Sequence, residues 1–218
     1  MLACKQTCNL KLALMKLVLF DFNGTLVDDN IPFWQAVVKV FMHHGVIPPT
    51  IEEYFIAMEG HWLDVYHSKG IKGNPAELNT IYGPIYFELF KNDMKPFPDI
   101  HQVLEELRRR EFTIGIISAG IGTTNAPALD ALGLTEFFDP QFVEFDNHSK
   151  SEAIVRFCQK ANIEKSNCYY IGDAPSDIAQ SNSTGVQSVA FLSGFIPEHL
   201  VCAKNPTHVI YKMSELLN

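Results

Sequence analysis

The sequence predicts an α/β fold, in which a parallel β-sheet carries helices on both faces and a small all-helical domain is inserted. Short apolar runs, three of them ending in a polar residue beside a glycine, alternate with segments that have one apolar helical face. Residues 28–95 depart from this alternation and show only helical patterns. The chain has 218 residues, 47% of them hydrophobic, which is enough for one substantial core.

Five apolar runs are the predicted strands. They are residues 16–22, 112–118, 168–171, 187–192 and, as the weakest, 207–211. The helical faces between them are formed by Ile100, Val103, Leu104 and Leu107, and by Ile154, Phe157, Cys158 and Ala161. Strands that alternate with helices form parallel sheets, and such sheets bind ligands at the carboxyl ends of their strands.

The all-helical stretch is predicted to contain four helices. They are residues 33–44, 51–59, 62–68 and 84–91, with breaks at 45–49, 70–75 and 83–84, where glycine and proline concentrate. The expected organisation is an N-terminal tail (1–15), a sheet domain (16–27 and 96–218) and a helical domain (28–95).

Composition excludes several classes of function. Seventeen basic residues against 25 acidic residues give a net charge of −8, which disfavours binding to nucleic acid. No apolar run approaches the ~18 residues of a membrane helix, so we expect a soluble protein without a membrane partner. The five cysteines form no C-x-x-C pair, and residues 1–15 lack the features of a secretory signal. We therefore expect reduced thiols and a cytoplasmic protein, either a monomer or a homodimer.

Three carboxylates follow predicted strands. Asp21 ends the first strand, and Asp173 and Asp177 follow the third. Clustered carboxylates repel each other unless a cation lies among them, and oxygen ligands of this kind suit Mg²⁺. Taken singly, Asp21 could instead be a turn former and Asp173 a helix N-cap.

Two further features could hold an anion. Ser118 ends the second strand before Ala119 and Gly120, where a hydroxyl and backbone N–H groups are available. Lys150 follows Ser149, whose spacing to Glu152 predicts a capping box and places Lys150 in the first turn of a helix. A cation is unfavourable at that end of the helix dipole, which indicates an anionic partner, although a solvated surface lysine is the alternative.

In order, these features resemble a known family. The segment Asp21-Phe22-Asn23-Gly24-Thr25-Leu26, then Ser118, then Lys150, then Gly172-Asp173-Ala174-Pro175-Ser176-Asp177 is similar to the four motifs of the haloacid dehalogenase-like hydrolases. The similarity spans residues 16 to about 217, and it is to the phosphoglycolate phosphatase-like members with a helical cap after the first motif. The resemblance implies a Rossmann-like core with residues 28–95 as the cap.

The resemblance also implies roles. Asp21 would be the nucleophile that takes a phosphoryl group from a small phosphorylated substrate, and water would then hydrolyse the aspartyl phosphate. The expected Mg²⁺ site consists of Asp21, the backbone carbonyl of Asn23, Asp173 and Asp177, the last orienting a metal-bound water or Lys150. The expected phosphoryl-binding residues, besides the catalytic Lys150, are Thr25, Ser118, Ala119 and Gly120.

Asn23 departs from the motif of the family's phosphatases, and this departure affects the expected mechanism. Most phosphatases of the family have an aspartate there, which serves as general acid for the leaving group and then as general base for water. An amide can do neither, and losing such a group typically costs ~10²–10⁴ in rate. Three interpretations follow: a slow phosphatase, one selective for leaving groups that need little protonation, or a catalytically weak phosphate-binding or regulatory protein. The intact Lys150, Asp173 and Asp177 favour the first two.

Residues of the cap bear on substrate contact and on two rival reactions, dehalogenation and phosphonate hydrolysis. His61 and Trp62 are our candidates for a substrate-facing loop, the alternative being an ordinary helix start with a buried tryptophan. The cap has no arginine, which counts against a phosphoglycolate specialist and against haloacid dehalogenation. Phosphonate hydrolysis would need a cap lysine for a Schiff base, and Lys39 or Lys69 could serve.

Overall fold

The computed structural model describes residues 17–57, 62–147 and 149–218. The chain divides into two compact units, one of residues 29–94 and one formed by the residues before and after this stretch. We call them the helical unit and the sheet unit. None of the helices in the described ranges is both long enough and apolar enough to cross a membrane.

Four helices make up the described part of the helical unit. They are α1 (Asn30–His43), α2 (Ile51–Ala57), α3 (Trp62–Ser68) and α4 (Pro75–Asp93). Val37 and Val40 are buried on α1 as predicted, but His44, the residue after the end of α1, is exposed. Of the predicted second helix, residues 58 and 59 lie outside the described residues.

The predicted break at residues 83–84 is wrong, because α4 continues through Pro84. A proline inside a helix costs ~3 kcal/mol, so other contacts must offset it. The Asn74 side chain accepts a hydrogen bond from the Glu77 backbone N–H (3.0 Å), and the Glu77 carboxylate accepts one from the Asn74 backbone N–H (2.9 Å). Further along, α4 packs on α1 and buries Tyr86, whose hydroxyl donates to Asp29 at 2.6 Å. Capping and packing therefore outweigh the local proline signal.

The sheet unit contains a six-stranded parallel sheet in its described residues. The strands are β1 (Leu17–Phe20), β2 (Thr113–Ile117), β3 (Val143–Glu144), β4 (Cys168–Gly172), β5 (Gln187–Phe191) and β6 (His208–Ile210), in the order β3-β2-β1-β4-β5-β6. The five predicted strands are all present. The sequence did not predict β3, because two residues are too short to show a pattern.

The topology places a switch point beside β1. From β1 the chain moves outward to β2 and β3, then crosses back to β4 on the other side of β1. Phe20 of β1 pairs with Ile116 of β2 and with Ile171 of β4, so these three strands end at the same edge of the sheet. Ligands of doubly wound sheets bind at such a point.

Helices of the sheet unit cover this sheet. They are α5 (Ile100–Arg109), α6 (Gly122–Ala131), α7 (Lys150–Ala161), α8 (Pro175–Thr184) and α9 (Glu198–Cys202). The predicted apolar face of α5 is fully buried, and so is that of α7 apart from the partly buried Ala161. The α7 face packs against a cluster that includes Leu17 and Leu19 of β1, while Val18 and Phe20, which point the other way, are also buried.

The predicted capping box at the start of α7 is wrong. Ser149 is the N-cap residue, but its side chain makes no capping hydrogen bond. Its backbone N–H donates instead to Oδ1 of Asn147 at 2.8 Å, and Asn147 donates through Nδ2 to Glu144 at 2.7 Å. The loop before α7 is therefore tied to the end of β3, and Lys150 still occupies the first position of the helix.

Candidate active site

The switch point gathers the polar residues that follow the strands. Asp21 comes directly after β1, Ser118 after β2 and Asp173 after β4, and all three are buried. The Asp21 backbone N–H donates to the Ile171 carbonyl at 2.8 Å, which extends the β1–β4 pairing up to the carboxylate. Parallel register therefore brings to one edge residues that are distant in the sequence.

Three carboxylates form a compact cluster. Asp21, Asp173 and Asp177 each offer an oxygen, and these oxygens all lie within 4.8 Å of one another. Burial, aided by Asp177, raises the pKa of Asp21 to about 6 even though Lys150 opposes the shift. Burial and the neighbouring carboxylates raise the pKa of Asp173 well above its ordinary value. The cluster is thus short of positive charge.

The cluster fits a hard divalent cation. Oδ1 of Asp21 is buried and has no hydrogen-bond partner among the described residues. An oxygen-only donor set of this size matches Mg²⁺, which binds carboxylates at ~2.1 Å and keeps several waters.

Lys150 supplies one positive charge to this cluster. Its Nζ lies 3.0 Å from Oδ2 of Asp21 and 2.5 Å from Oδ1 of Asp177. Burial by itself would lower the pKa of Lys150, but Asp177 and Asp21 outweigh it and raise that pKa well above its ordinary value. The lysine is therefore a permanent cation, and the alternative of a solvated surface residue is wrong.

Asp177 holds Lys150 in place. It is fully buried in the first turn of α8, and its Oδ2 accepts a hydrogen bond from the Ala174 backbone at 3.1 Å. Both of its oxygens are therefore engaged, one by the helix terminus and the other by Lys150. A Cβ on Gly172 would lie 2.5 Å from the Asp177 side chain, so glycine makes room for it.

The loop after β1 shapes the site around Asp173. Thr25 is fully buried and its hydroxyl donates to Oδ1 of Asp173 at 3.1 Å. Gly24 has a φ of +73°, and a Cβ there would lie 2.4 Å from Oδ2 of the same aspartate. Only glycine satisfies both the backbone conformation and the close approach.

Asn23 has a partner that the sequence did not predict. Asn125, buried on α6, donates through Nδ2 to Oδ1 of Asn23 at 2.7 Å. A Cβ on Gly120 would lie 2.2 Å from Nδ2 of Asn125 and 2.3 Å from Oδ1 of Asn23. In the sequence Asn125 is one of several polar residues of α6, so its residue type and position alone could not assign it a role.

Ser118 and Gly120 form a small polar turn. The Gly120 backbone N–H donates to Oγ of Ser118 at 3.1 Å, and the Ser118 backbone N–H donates to Glu144 at 2.9 Å. The hydroxyl already accepts a hydrogen bond, so its proton is available for donation to an anion. Ala119 between them is exposed.

The predicted cap residues give less information. His61 lies outside the described residues, and so does the side chain of Trp62, whose backbone begins α3.

Fold and site together define an α/β protein with a carboxylate–lysine cluster at the switch point of its sheet. The family model described as haloacid dehalogenase-like hydrolase matches residues 18–191. The chain belongs to the haloacid dehalogenase-like hydrolase family, which confirms the resemblance seen in its motifs.

Individual relatives agree with this family. The pyrophosphatase PpaX of Bacillus mycoides is 24% identical over 206 residues, which cover 92% of this chain and 94% of the relative. A haloacid dehalogenase-like hydrolase from Streptococcus pneumoniae has a TM-score of 0.73 at 22% identity, covering 94% of this chain and 98% of the other. A Haemophilus somnus protein described as a predicted phosphoglycolate phosphatase also has a TM-score of 0.73, at 14% identity, with 94% and 97% covered. These structures share the fold with this chain.

Proposed function

We propose that this protein is a Mg²⁺-dependent phosphatase that hydrolyses a small phosphomonoester through an aspartyl-phosphate intermediate on Asp21. The supporting observation is the buried cluster in which Asp21 faces Lys150 while its Oδ1 has no partner among the described residues. A nucleophilic carboxylate needs an oxygen that is not held by a hydrogen bond and needs positive charge nearby, because it attacks an anionic phosphoryl group. The names of the relatives, pyrophosphatase and phosphoglycolate phosphatase, agree with phosphoryl chemistry.

The residues proposed to hold Mg²⁺ are Asp21, Asp173 and the backbone carbonyl of Asn23. When bound, the cation supplies positive charge to the phosphoryl oxygens and relieves the repulsion within the cluster. Asp177 belongs to the same cluster, but both of its oxygens accept hydrogen bonds. We therefore assign to Asp177 the orientation of Lys150, the second of the two roles expected for it.

In the first step, an oxygen of Asp21 forms a bond to phosphorus while the bond from phosphorus to the ester oxygen breaks. The bonding electron pair leaves with the ester oxygen, which takes its proton from solvent because Asn23 has none to give. In the second step, water attacks phosphorus, the bond to Asp21 breaks, and a proton from the water goes to solvent. Asp21 is thereby regenerated as a carboxylate.

Three groups are proposed to bind the phosphoryl oxygens: the Lys150 ammonium, the Ser118 hydroxyl and the backbone of Ala119 and Gly120. Negative charge shifts from the Asp21 carboxylate to the phosphoryl group during the attack, and the ammonium of Lys150 balances this charge. The Ser118 hydroxyl, held by the Gly120 N–H, donates to one oxygen. Thr25 acts indirectly, because its hydroxyl is bound to Asp173 and fixes that carboxylate.

The helical unit is proposed to be the cap that closes over the site and selects the substrate. His61 and Trp62 remain our candidates for substrate contact. Closure would exclude water while the aspartyl phosphate forms.

A second candidate is a catalytically weak phosphate-binding protein, and Asn23 is the observation that favours it. Dehalogenation is less well supported, because that chemistry needs no metal and would not require the intact Asp173 and Asp177, and because the cap has no arginine for a halide. Phosphonate hydrolysis would require Lys39 or Lys69 to form a Schiff base.

A panel of phosphomonoesters together with inorganic pyrophosphate, assayed with Mg²⁺ and with a chelator, tests the proposal. We expect phosphate release with Mg²⁺ and its loss in the chelator. Asp21→Asn, which keeps the shape but removes the nucleophile, should release none. If no substrate of the panel is hydrolysed while phosphate binds measurably, the binding protein is the correct assignment.

A further inference from the structure

We infer that Asn125 is a positioning residue that makes the site selective for phosphoanhydrides, such as inorganic pyrophosphate, over alkyl phosphates. The inference rests on the aspartyl-phosphate chemistry of the proposed function and extends its substrates from phosphomonoesters to phosphoanhydrides. It starts from the hydrogen bond between Asn125 Nδ2 and Asn23 Oδ1, 2.7 Å long, at the position where the family's general acid stands.

The bond sets the orientation of the Asn23 amide. With Oδ1 directed at Asn125, Nδ2 lies on the other side of the planar amide group, and its N–H bonds are the donors we propose for the leaving group. Rotating Asn23 alone would bring its Nδ2 against Nδ2 of Asn125, and two donors repel. Gly120 allows this pairing, because any Cβ there would collide with both atoms.

Stability alone does not account for Asn125. The residue is 1% exposed, and its Oδ1 is buried without a partner among the described residues. A buried acceptor without a partner is destabilising, and a leucine of similar size would fill the space without that cost. We therefore infer that the role of Asn125 is its hydrogen bond to Asn23.

A fixed amide donor discriminates between leaving groups. The leaving group of a phosphoanhydride is a phosphate, which is a weak base and departs without a proton while accepting hydrogen bonds. The leaving group of an alkyl phosphate is an alkoxide, a strong base that needs a proton an amide cannot supply. In the anhydride reaction the Asp21 oxygen bonds to one phosphorus as its bond to the bridging oxygen breaks, and the electron pair stays on the departing phosphate. Water then releases the second phosphate from Asp21 and a proton goes to solvent.

The test compares kcat/KM for pyrophosphate and for glycerol 2-phosphate, both with Mg²⁺. We expect the wild-type protein to prefer pyrophosphate by about tenfold or more, and Asn125→Leu and the smaller Asn125→Ser to lower that ratio by about tenfold, chiefly through kcat. Leu129→Ala, on the same helix and also buried, is the control: it should lower the melting temperature and leave the ratio unchanged.

Three outcomes would overturn the inference: no preference for pyrophosphate in the wild type, equal losses on both substrates in both Asn125 variants, or a ratio that falls equally in Leu129→Ala. A protein that hydrolyses alkyl phosphates without this preference keeps the proposed function and loses only the inference. A protein inactive on the whole panel loses the proposed function itself.

Discussion

The ammonium of Lys150 lies 2.5 Å from a carboxylate oxygen of Asp177, and both side chains are buried. A buried ion pair contributes little to stability, because desolvation offsets its attraction. This pair instead directs a permanent cation at Asp21, 3.0 Å away. Asp177 is thus the anchor through which α8 positions the first residue of α7.

Replacing Lys150 should strongly lower kcat without preventing metal binding. We expect Lys150→Met, which keeps much of the aliphatic length, to lower kcat by ~10²–10³, because the phosphoryl charge loses its compensation. Isothermal titration calorimetry should show that the variant still binds Mg²⁺. A variant with wild-type kcat would contradict the role of Lys150.

Asp21→Asn should abolish turnover and stabilise the metal-free protein at pH 7. Burial raises the pKa of Asp21 to about 6 from an ordinary value of 3.8, so between these values the folded state holds more protons than the unfolded state. The free energy of unfolding therefore falls as pH rises through this window, and at pH 7 the full cost is present. Asparagine removes it, so the melting temperature without Mg²⁺ should rise. The gain should shrink toward pH 4, and a lower melting temperature at pH 7 would contradict the burial argument.

Mg²⁺ affinity should weaken as pH falls below about 6. The cation requires ionised carboxylates, and the pKa values of Asp21 and Asp173 are both raised in the metal-free protein. Calorimetry at pH 7.5 and pH 5.5, in two buffers of different ionisation enthalpy, should show weaker binding at the lower pH together with proton release. An affinity independent of pH over this range would remove Asp21 and Asp173 from the metal site.

Gly24→Ala should damage the metal site more than its backbone strain alone explains. The left-handed conformation costs a non-glycine residue ~1–2 kcal/mol, and the new Cβ would also lie 2.4 Å from Oδ2 of Asp173. We expect Mg²⁺ affinity to fall about tenfold or more as Asp173 is displaced. Gly185→Ala is the matched control, because its φ is +84° and nothing lies within 4 Å of its Cβ. Equal Mg²⁺ affinities in the two variants would show that the collision is unimportant.

Asn23→Asp should restore an acid and base at the leaving-group position and leave the backbone carbonyl unchanged. The rate should rise about tenfold or more on alkyl phosphates, whose leaving groups need a proton, and least on aryl phosphates. Steady-state kinetics on a series of phosphate esters with different leaving-group pKa values measures this. No gain on any ester in the presence of Mg²⁺ would mean that Asn23 is not what limits hydrolysis.

Local sequence patterns were sufficient for most of the sheet and for the composition of the site. Strands β1 and β4 are short apolar runs, each followed by an aspartate. This pattern can be recognised in the sequence without knowing how the side chains pack. The motif positions of Asp21, Ser118, Lys150 and Asp173 also follow from sequence order. Their roles in the reaction remain predictions until the variants above are measured.

Where several contacts compete for the same short segment, the sequence was insufficient. Proline and glycine predicted a break at residues 83–84, but α4 continues because a capping box begins it and packing on α1 supports it. Ser149 and Glu152 have the spacing of a capping box, but the Asn147 side chain takes the Ser149 N–H first. In the first place packing on another helix outweighs the local preference, and in the second a neighbouring side chain held by Glu144 replaces the expected capping bond.

By itself, the sequence determined the alternation of strands and helices, the family and the four motif residues, because these depend on residue type and order along the chain. Only the tertiary structure decided that Lys150 is held between Asp21 and Asp177, that Gly24 must leave room for Asp173, and that Asn125 binds Asn23. Asn125 is 102 positions away from Asn23 in the chain. No local pattern records such a distance, because parallel register and helix packing bring the two asparagines together only after the chain has folded.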